Sequence, residues 1–343
     1  MATKVQGFMG NQPIEGNFPV KLLSEDTVRV QVSPRLSVLE ALNFKQICEE
    51  LIAANPTPKK IIIDFGQTSF MDSSGLGALV SNFKTAQEKG IKLVLQNVTP
   101  QVMAVLNLTG LVDVFTIEEG EFTASQDNPV KREEKLPETH PSVRSWTKRF
   151  IDIVGALVGL VITGILSVPI VTAIMINDPG PIFFGQIRCG WMGKRFRMWK
   201  FRSMCVDAEA KKAELQKLNQ VKGAFFKIDN DPRVTKVGRF LRRTSLDELP
   251  QFWNVLKGEM SLVGTRPPTP DEVECYEVPE WERLDVKPGM TGEWQVNGRS
   301  SIRDFEDVIR LDLQYQKNWS LMYDLKLIFK TVAILFNKSS GAM

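Results

Sequence analysis

Residues 150–176 read FIDIVGALVGLVITGILSVPIVTAIMI, apolar apart from Asp152, two threonines and a serine. No other stretch of the 343-residue chain is like it. As one straight helix it would be about 40 Å long, beyond the roughly 30 Å of a bilayer's hydrocarbon core. That length speaks against the core helix of a soluble domain. Pro169 sits well inside the segment. Proline removes a backbone hydrogen bond and costs about 3 kcal/mol in a helix interior, so a break is expected there. Arg144, Lys148 and Arg149 precede the segment, and Arg188, Lys194, Arg195, Arg197, Lys200 and Arg202 follow it. Positive charge marks the cytoplasmic side of a membrane, and here it stands on both flanks. A hairpin that enters and leaves by one leaflet satisfies both; a single crossing satisfies one. The expectation is re-entry over 150–176, with crossing as the alternative.

Working back from this segment, residues 121–141 (EFTASQDNPVKREEKLPETHP) are polar, carry three prolines and have no periodicity, which reads as a linker. Residues 1–120 read as a small soluble α/β unit. Val28, Val30 and Val32 alternate like a half-buried strand, and Leu36 to Leu51 have helical spacing. Ile61, Ile62 and Ile63 form a buried-strand run, and Leu76, Leu79, Val80 and Phe83 share one helix face. Leu93 to Leu95 is a further strand, and the helix through Val102, Val105 and Leu106 stops near Gly110. The β-α alternation implies a largely parallel sheet covered by helices. The opening MATKVQGFMGNQPIEG has no apolar core, so no secretory signal is expected and the N-terminus is placed in the cytoplasm.

Composition narrows the classes. With 43 Lys+Arg against 40 Asp+Glu, bulk charge gives no argument for nucleic acid. Cys48, Cys189, Cys205 and Cys275 form no CxxC pair and His140 is the one histidine, so a Cys/His zinc site is excluded and the cysteines read as free thiols.

Working forward, residues 178–343 are soluble in composition but rich in Arg, Trp and Phe. The densest run of chemistry is RRTSLDELPQFWNVLKGEMSLVGTRPP, residues 242–268. Asp247 and Glu248 are adjacent carboxylates behind Arg242, Arg243 and Thr244. Neighbours on a helix point about 100° apart, so one can attack while the other holds a metal or moves a proton. Arg266 lies between Gly264 and two prolines, Arg299 lies in a glycine-containing turn, and Lys200 and Arg202 come from KFRS. Cations around two carboxylates suit a diphosphate substrate, whose charge must be neutralised during transfer. The same pattern also suits a purely structural Arg-Asp network. Near the end, Leu321, Leu325, Ile328, Phe329, Val332 and Phe336 form a helical stripe, either core or an interfacial helix on a membrane.

These residues carry a resemblance. KRFIDIVGALVGL, DPGPIFFGQIRCG, FRMWKFRSM, DPRVTKVGRFLRRTSLDELPQFWNVLKGEMSLVG, KPGMTGEWQVNGR and YDLKLIFKT occur in order over residues 145–343. They resemble the bacterial sugar transferases, monotopic polyprenyl-phosphate phosphoglycosyl transferases. The resemblance implies a re-entrant helix broken at Pro169 and a catalytic Asp-Glu dyad. Asp247 matches the nucleophile, which would form a covalent phosphosugar intermediate and release UMP. Glu248 matches its partner and the neighbour of Mg²⁺. Lys200, Arg202, Arg242, Arg266 and Arg299 match cations assigned to phosphate. The implied partners are a UDP-sugar, undecaprenyl phosphate and the bacterial inner membrane, with the soluble parts facing the cytoplasm and a homo-oligomer among the expectations. Two departures stand out. Val168 precedes Pro169 where the family usually has serine, with Ser167 one residue earlier. Thr265 stands where the family commonly reads GPRP, which loosens the backbone before Arg266.

KIIIDFGQTSFMDSSGLGAL, residues 60–79, resembles the STAS domains of anti-sigma-factor antagonists. Ser74 matches their phosphorylated serine, which implies a kinase or protein partner. The alternative is an ordinary helix N-cap at Asp72 or Ser73. The fold expected is therefore an α/β STAS domain (1–120), a linker (121–141) and a mainly helical α+β catalytic domain (142–343) with a re-entrant membrane helix. The expected function is transfer of a hexose-1-phosphate to undecaprenyl phosphate for surface polysaccharide. The alternative is a membrane-tethered STAS signalling protein without transferase activity. A multi-pass transporter is excluded by the single long apolar segment.

Overall fold

Val28 and Val30 of the valine alternation lie in a strand, Val32 follows directly after it, and all three side chains are buried. The structure, a computed structural model, describes residues 18–118, 139–208, 210–211, 231–297 and 305–336. Arg299 and most of the linker 121–141 lie outside the described residues. The chain divides into two units. One holds the residues up to Thr139 together with Tyr276–Asp285; the other holds His140–Cys275 and the residues from Val286. Residues 276–285, read from sequence as part of 142–343, thus group with the first unit.

In the first unit the strands are β1 (Val20–Ser24), β2 (Thr27–Gln31), β4 (Lys60–Asp64), β6 (Lys92–Gln96) and β7 (Thr116–Glu118), side by side in that order. All neighbours are parallel except β1 with β2. A separate short pair joins β3 (Arg35–Leu36) to β5 (Phe70–Met71). Helices α1 (Val38–Ala53), α2 (Ser73–Glu88) and α3 (Pro100–Thr109) complete the unit. Ile61 and Ile63 are fully buried, each contributing about 1.5–3 kcal/mol by leaving water. Gly110 ends α3 at φ 71°, a left-handed conformation that glycine adopts without penalty. At the start of α2 the capping residue is Asp72, whose carboxylate accepts from Gly75 N at 2.9 Å. Ser74 is fully buried and its Oγ has no hydrogen-bond partner among the described residues.

In the second unit α4 (Pro141–Arg144) leads into α5 (Trp146–Asn177), which contains the apolar segment. Pro169 lies inside α5 and does not end it, so the expected break is not an interruption of the helix. Ser167 Oγ donates to Gly164 O at 2.7 Å, so the displaced serine still finds a backbone carbonyl. Most of α5 is uncovered: Val161, Ile165 and Val168 are 65–70% exposed. What is buried touches the same unit along the whole helix. Ala156 packs with Phe196, Met198, Val255 and Met260, and Ile170 and Ile174 pack with Phe201 and Leu241. Side chains at Gly155 and Gly159 would collide with Leu262 and Phe252, so both glycines are needed for this approach.

The flanking charges are used differently from the expectation. Lys148 is buried, donating to Asp324 Oδ2 at 2.6 Å and Val263 O at 2.9 Å. Arg149 donates to Val255 O and Leu256 O, both at 2.7 Å, satisfying the last carbonyls of a helix. These two cations act inside the fold, so the charge argument for re-entry loses them. Asp152 accepts from Ser261 Oγ and Leu262 N, each at 2.9 Å.

The hairpin β8 (Phe183–Cys189) and β9 (Arg195–Phe201) follows, then α6 (Lys236–Arg243), α7 (Gln251–Lys257), β10 (Ser261–Val263) and α8 (Pro270–Glu274). β11 (Gly289–Thr291) pairs in parallel with β10, and α9 (Glu293–Val296), α10 (Phe305–Lys317) and α11 (Leu321–Phe336) close the unit. Of the α11 stripe, Leu321, Leu325 and Ile328 are half-buried while Phe329 and Val332 are exposed; the buried positions of the helix, Asp324 and Leu327, lie beside the stripe. All four cysteines are free.

Candidate active site

The site is assembled on the second half of α5. Phe201 and Leu241, packed on Ile170 and Ile174, are chain neighbours of Lys200, Arg202 and Arg242. Burial of the two apolar side chains therefore sets the position of three cations. Gly238 lets α6 come against the Ser203 backbone, where a Cβ would collide. Thr235 N donates to Ser203 O at 3.1 Å, and Arg242 Nε donates to Ser203 Oγ at 2.9 Å.

The chain then turns sharply. Ser245 has φ 57°, a left-handed conformation uncommon outside glycine, and a 3₁₀ turn runs through Leu246–Glu248 before Pro250 opens α7. The turn separates the two carboxylates. Asp247 is 5% exposed. Glu248 is more open and pairs with Lys200 Nζ at 3.0 Å. Burial pulls the Arg242 guanidinium below its ordinary pKa, while Asp247, Asp231 and Glu248 pull it back up. Arg242 therefore stands in the field of both candidate carboxylates.

The remaining cations have other partners. Arg202 donates to Asp178 O, and its buried Nη1 has no hydrogen-bond partner among the described residues. Arg266 pairs with Glu272 at 2.7 Å, and its backbone N–H lies 3.3 Å from both carboxylate oxygens of the fully buried Asp312. Thr265 is held by a bridge to Pro288, so the backbone before Arg266 is restrained without a proline. The structure thus brings Lys200 and Arg242 to Asp247 and Glu248, and gives Arg202 and Arg266 carboxylate-bearing neighbours of their own.

Sequence reasoning missed Asp231, Arg233, Ser203 and Glu272. Arg233 grips Asp231 through Nε and Nη2, at 3.0 and 2.6 Å, and Asp231 acts on Arg242. The one available signal was the Asp231-Pro232-Arg233 spacing, which lets a side chain fold back on its neighbour. Among the described residues no group of three His, Cys, Asp or Glu could hold a metal ion. Mg²⁺ commonly takes one or two carboxylates and completes its shell with substrate phosphate and water, a set that Asp247 and Glu248 fit.

Residues 143–338 match the bacterial sugar transferase family, and residues 22–124 match the STAS domain family. The galactosyl transferase CpsE of Streptococcus agalactiae is 53% identical over 188 residues, 55% of this chain and 42% of that protein. The undecaprenyl-phosphate galactose phosphotransferase of Salmonella typhimurium is 43% identical over 200 residues, 57% of this chain and 42% of that protein. The exopolysaccharide production protein ExoY of Rhizobium meliloti is 38% identical over 213 residues, 60% of this chain and 94% of that protein. The chain thus spans less than half the length of the first two. Among solved structures, the unphosphorylated anti-sigma factor antagonist SpoIIAA is 22% identical, covering 31% of this chain and 89% of that one with a TM-score of 0.28.

Proposed function

The chain belongs to the bacterial sugar transferase family, and from that premise we propose that it moves a hexose-1-phosphate from a UDP-sugar to undecaprenyl phosphate at the inner membrane. The observation that carries this reading is the buried Asp247 and its neighbour Glu248, with Lys200 and Arg242 set against them, built on an apolar helix through Phe201 and Leu241. A lipid phosphate meets its co-substrate at such a boundary.

In the first step an Asp247 carboxylate oxygen attacks the sugar-bearing phosphorus. Its bond to the UMP oxygen breaks, leaving an aspartyl phosphosugar. In the second step an oxygen of the polyprenyl phosphate attacks that phosphorus and frees the carboxylate. Splitting the exchange in this way predicts ping-pong kinetics. Arg242 and Lys200 stabilise charge on the transferred group, and the unpaired Arg202 Nη1 is a donor suited to phosphate. Glu248 would hold Mg²⁺, which when bound offsets the charge of the donor's diphosphate as UMP departs. The names of the relatives favour galactose or glucose as the sugar. The test is a panel of UDP-sugars with undecaprenyl phosphate, read as UMP release. Release with no donor in the panel would favour the signalling alternative.

Seating in one leaflet is supported by α5 touching the same soluble unit at Ala156 and again at Ile174 while its other face stays bare. Exposed Trp146, Phe150, Phe183 and Phe184 extend that apolar surface. Val168→Lys places a charge on the bare face, where the cost in a helix centre is about 2.5–3.5 kcal/mol. We expect it to shift the protein from membrane to soluble fractions in co-sedimentation. Unchanged partitioning would argue that this face does not meet lipid.

A further inference from the structure

The Tyr276–Asp285 segment belongs to the first unit, although its two ends continue into α8 and β11 of the second. It forms a 3₁₀ stretch, Val278–Leu284, capped by Glu277 and Glu280, and lies against the start of α2. Gly77 is the seat for Trp281: a Cβ there would stand 2.5 Å from the indole ring. Lys45 of α1 reaches Glu277 at 3.4 Å, and the fully buried Arg283 donates to the Tyr276 hydroxyl at 2.7 Å.

The contact closest to α2 has an unusual proton count. Ser73 Oγ lies 2.6 Å from Asp285 Oδ1 and also 2.6 Å from Trp281 O. Ser73 N donates to the same Oδ1 at 3.0 Å. A hydroxyl has one proton, so it cannot serve two acceptors. If it points at the Trp281 carbonyl, its lone pair faces the carboxylate at 2.6 Å; if it points at Asp285, its lone pair faces the Trp281 carbonyl at the same distance. A proton on Asp285 resolves the conflict. Asp285 then donates to Ser73 Oγ, which donates to Trp281 O, and every group in the chain is satisfied.

We propose that Tyr276–Asp285 is a proton-held latch, in which a proton on Asp285 completes the hydrogen-bond chain through Ser73 to Trp281 and its loss releases the segment from α2. The surroundings favour the neutral acid. Burial pushes Asp285 up to about 7, with Asp72 and Glu282 pressing the same way. Burial also pushes Asp72 up to about 6, with added pressure from Glu282 and from Glu40 of α1. Both values stand above the ordinary carboxylate range near 4, so docking takes up protons. The stabilisation is complete at acid pH below that range. It is lost as pH rises through 6 to 7, which puts the latch close to release at neutral pH. The two ends of the segment lead into α8, whose Glu272 holds Arg266, and into β11. The latch itself stands whether or not the transferase reading does, since its readout needs no substrate.

The test is hydrogen exchange by mass spectrometry on the full chain in nanodiscs at pH 5.5 and 8.5, with times scaled for the intrinsic rate. In the wild type, protection of residues 276–285 should fall about tenfold or more between the two, one pKa unit being a factor of ten. Peptides from β4 should stay protected at both, showing that the sheet is intact. Asp285→Asn carries no charge at any pH and should leave the segment at least about tenfold better protected than wild type at pH 8.5. Ser73→Ala removes the relay and should expose the segment already at pH 5.5. Equal wild-type protection at the two pH values, an Asp285→Asn profile that matches wild type, or a Ser73→Ala profile that does would each overturn the latch.

Discussion

Asp247→Asn should lower UMP release by about 10⁴-fold or more, the scale on which loss of a covalent nucleophile is felt. The substitution is close to isosteric. Asp247 sits in a 3₁₀ turn shaped by the left-handed Ser245 and by Pro250, neither of which depends on its charge. The amide therefore occupies the same place and lacks only the anionic oxygen that attacks phosphorus. Glu248→Gln should cost less, about 10²–10³-fold, because its role is to hold and neutralise rather than to bond. Incubation with donor labelled in the β-phosphate and no acceptor should leave label on wild-type protein and on Glu248→Gln, and none on Asp247→Asn. Label retained on the asparagine variant, or glycolipid formed without any labelled protein, would remove Asp247 from the reaction path.

Much of the fold was legible because its signals are local. Alternating Val28, Val30 and Val32 state a strand within five residues, and Gly110 marks a helix end by its own backbone freedom. The Asp247-Glu248 pair was legible for the same reason. What sequence could not supply is the partner of a long side chain. Lys148 and Arg149 looked like membrane-flanking charges until Asp324, 176 positions away, and the carbonyls of α7 took them. Arg266 looked free for phosphate until Glu272 came beside it. The assignment of 276–285 to the first unit rests on Ser73 meeting Asp285 across 212 positions, a pairing that no periodicity announces. The α11 stripe left two readings open, core or interfacial helix, for a subtler reason. Apolar spacing says that a face exists but not what it faces, and two buried polar anchors at Asp324 and Lys148 turned α11 so that Phe329 stays outside.

That anchor gives the largest effect expected on stability. Asp324 receives Lys148 Nζ at 2.6 Å and Tyr315 Oη at 2.8 Å, both away from water, and the half-buried Trp319 Nε1 at 3.1 Å. Asp324→Leu removes the acceptor of all three. It leaves a buried ammonium with Val263 O and the Tyr315 hydroxyl as neighbours, and breaking a buried pair in this way costs about 3–5 kcal/mol. For a unit of this size that is a fall in Tm of roughly 6–20 °C, read by thermal shift in detergent. Lys148→Met should cost less, because the carboxylate keeps two neutral donors, Tyr315 and Trp319. The two substitutions together should cost less than Asp324→Leu alone, since no charge is then buried unpaired. A single Asp324→Leu variant as stable as wild type would mean that water reaches Lys148 and that α5 and α11 are not joined by this network. Activity should fall with stability. Val263, whose carbonyl Lys148 holds, ends the strand that leads within three residues to Arg266, so loosening the anchor loosens the Arg266 loop.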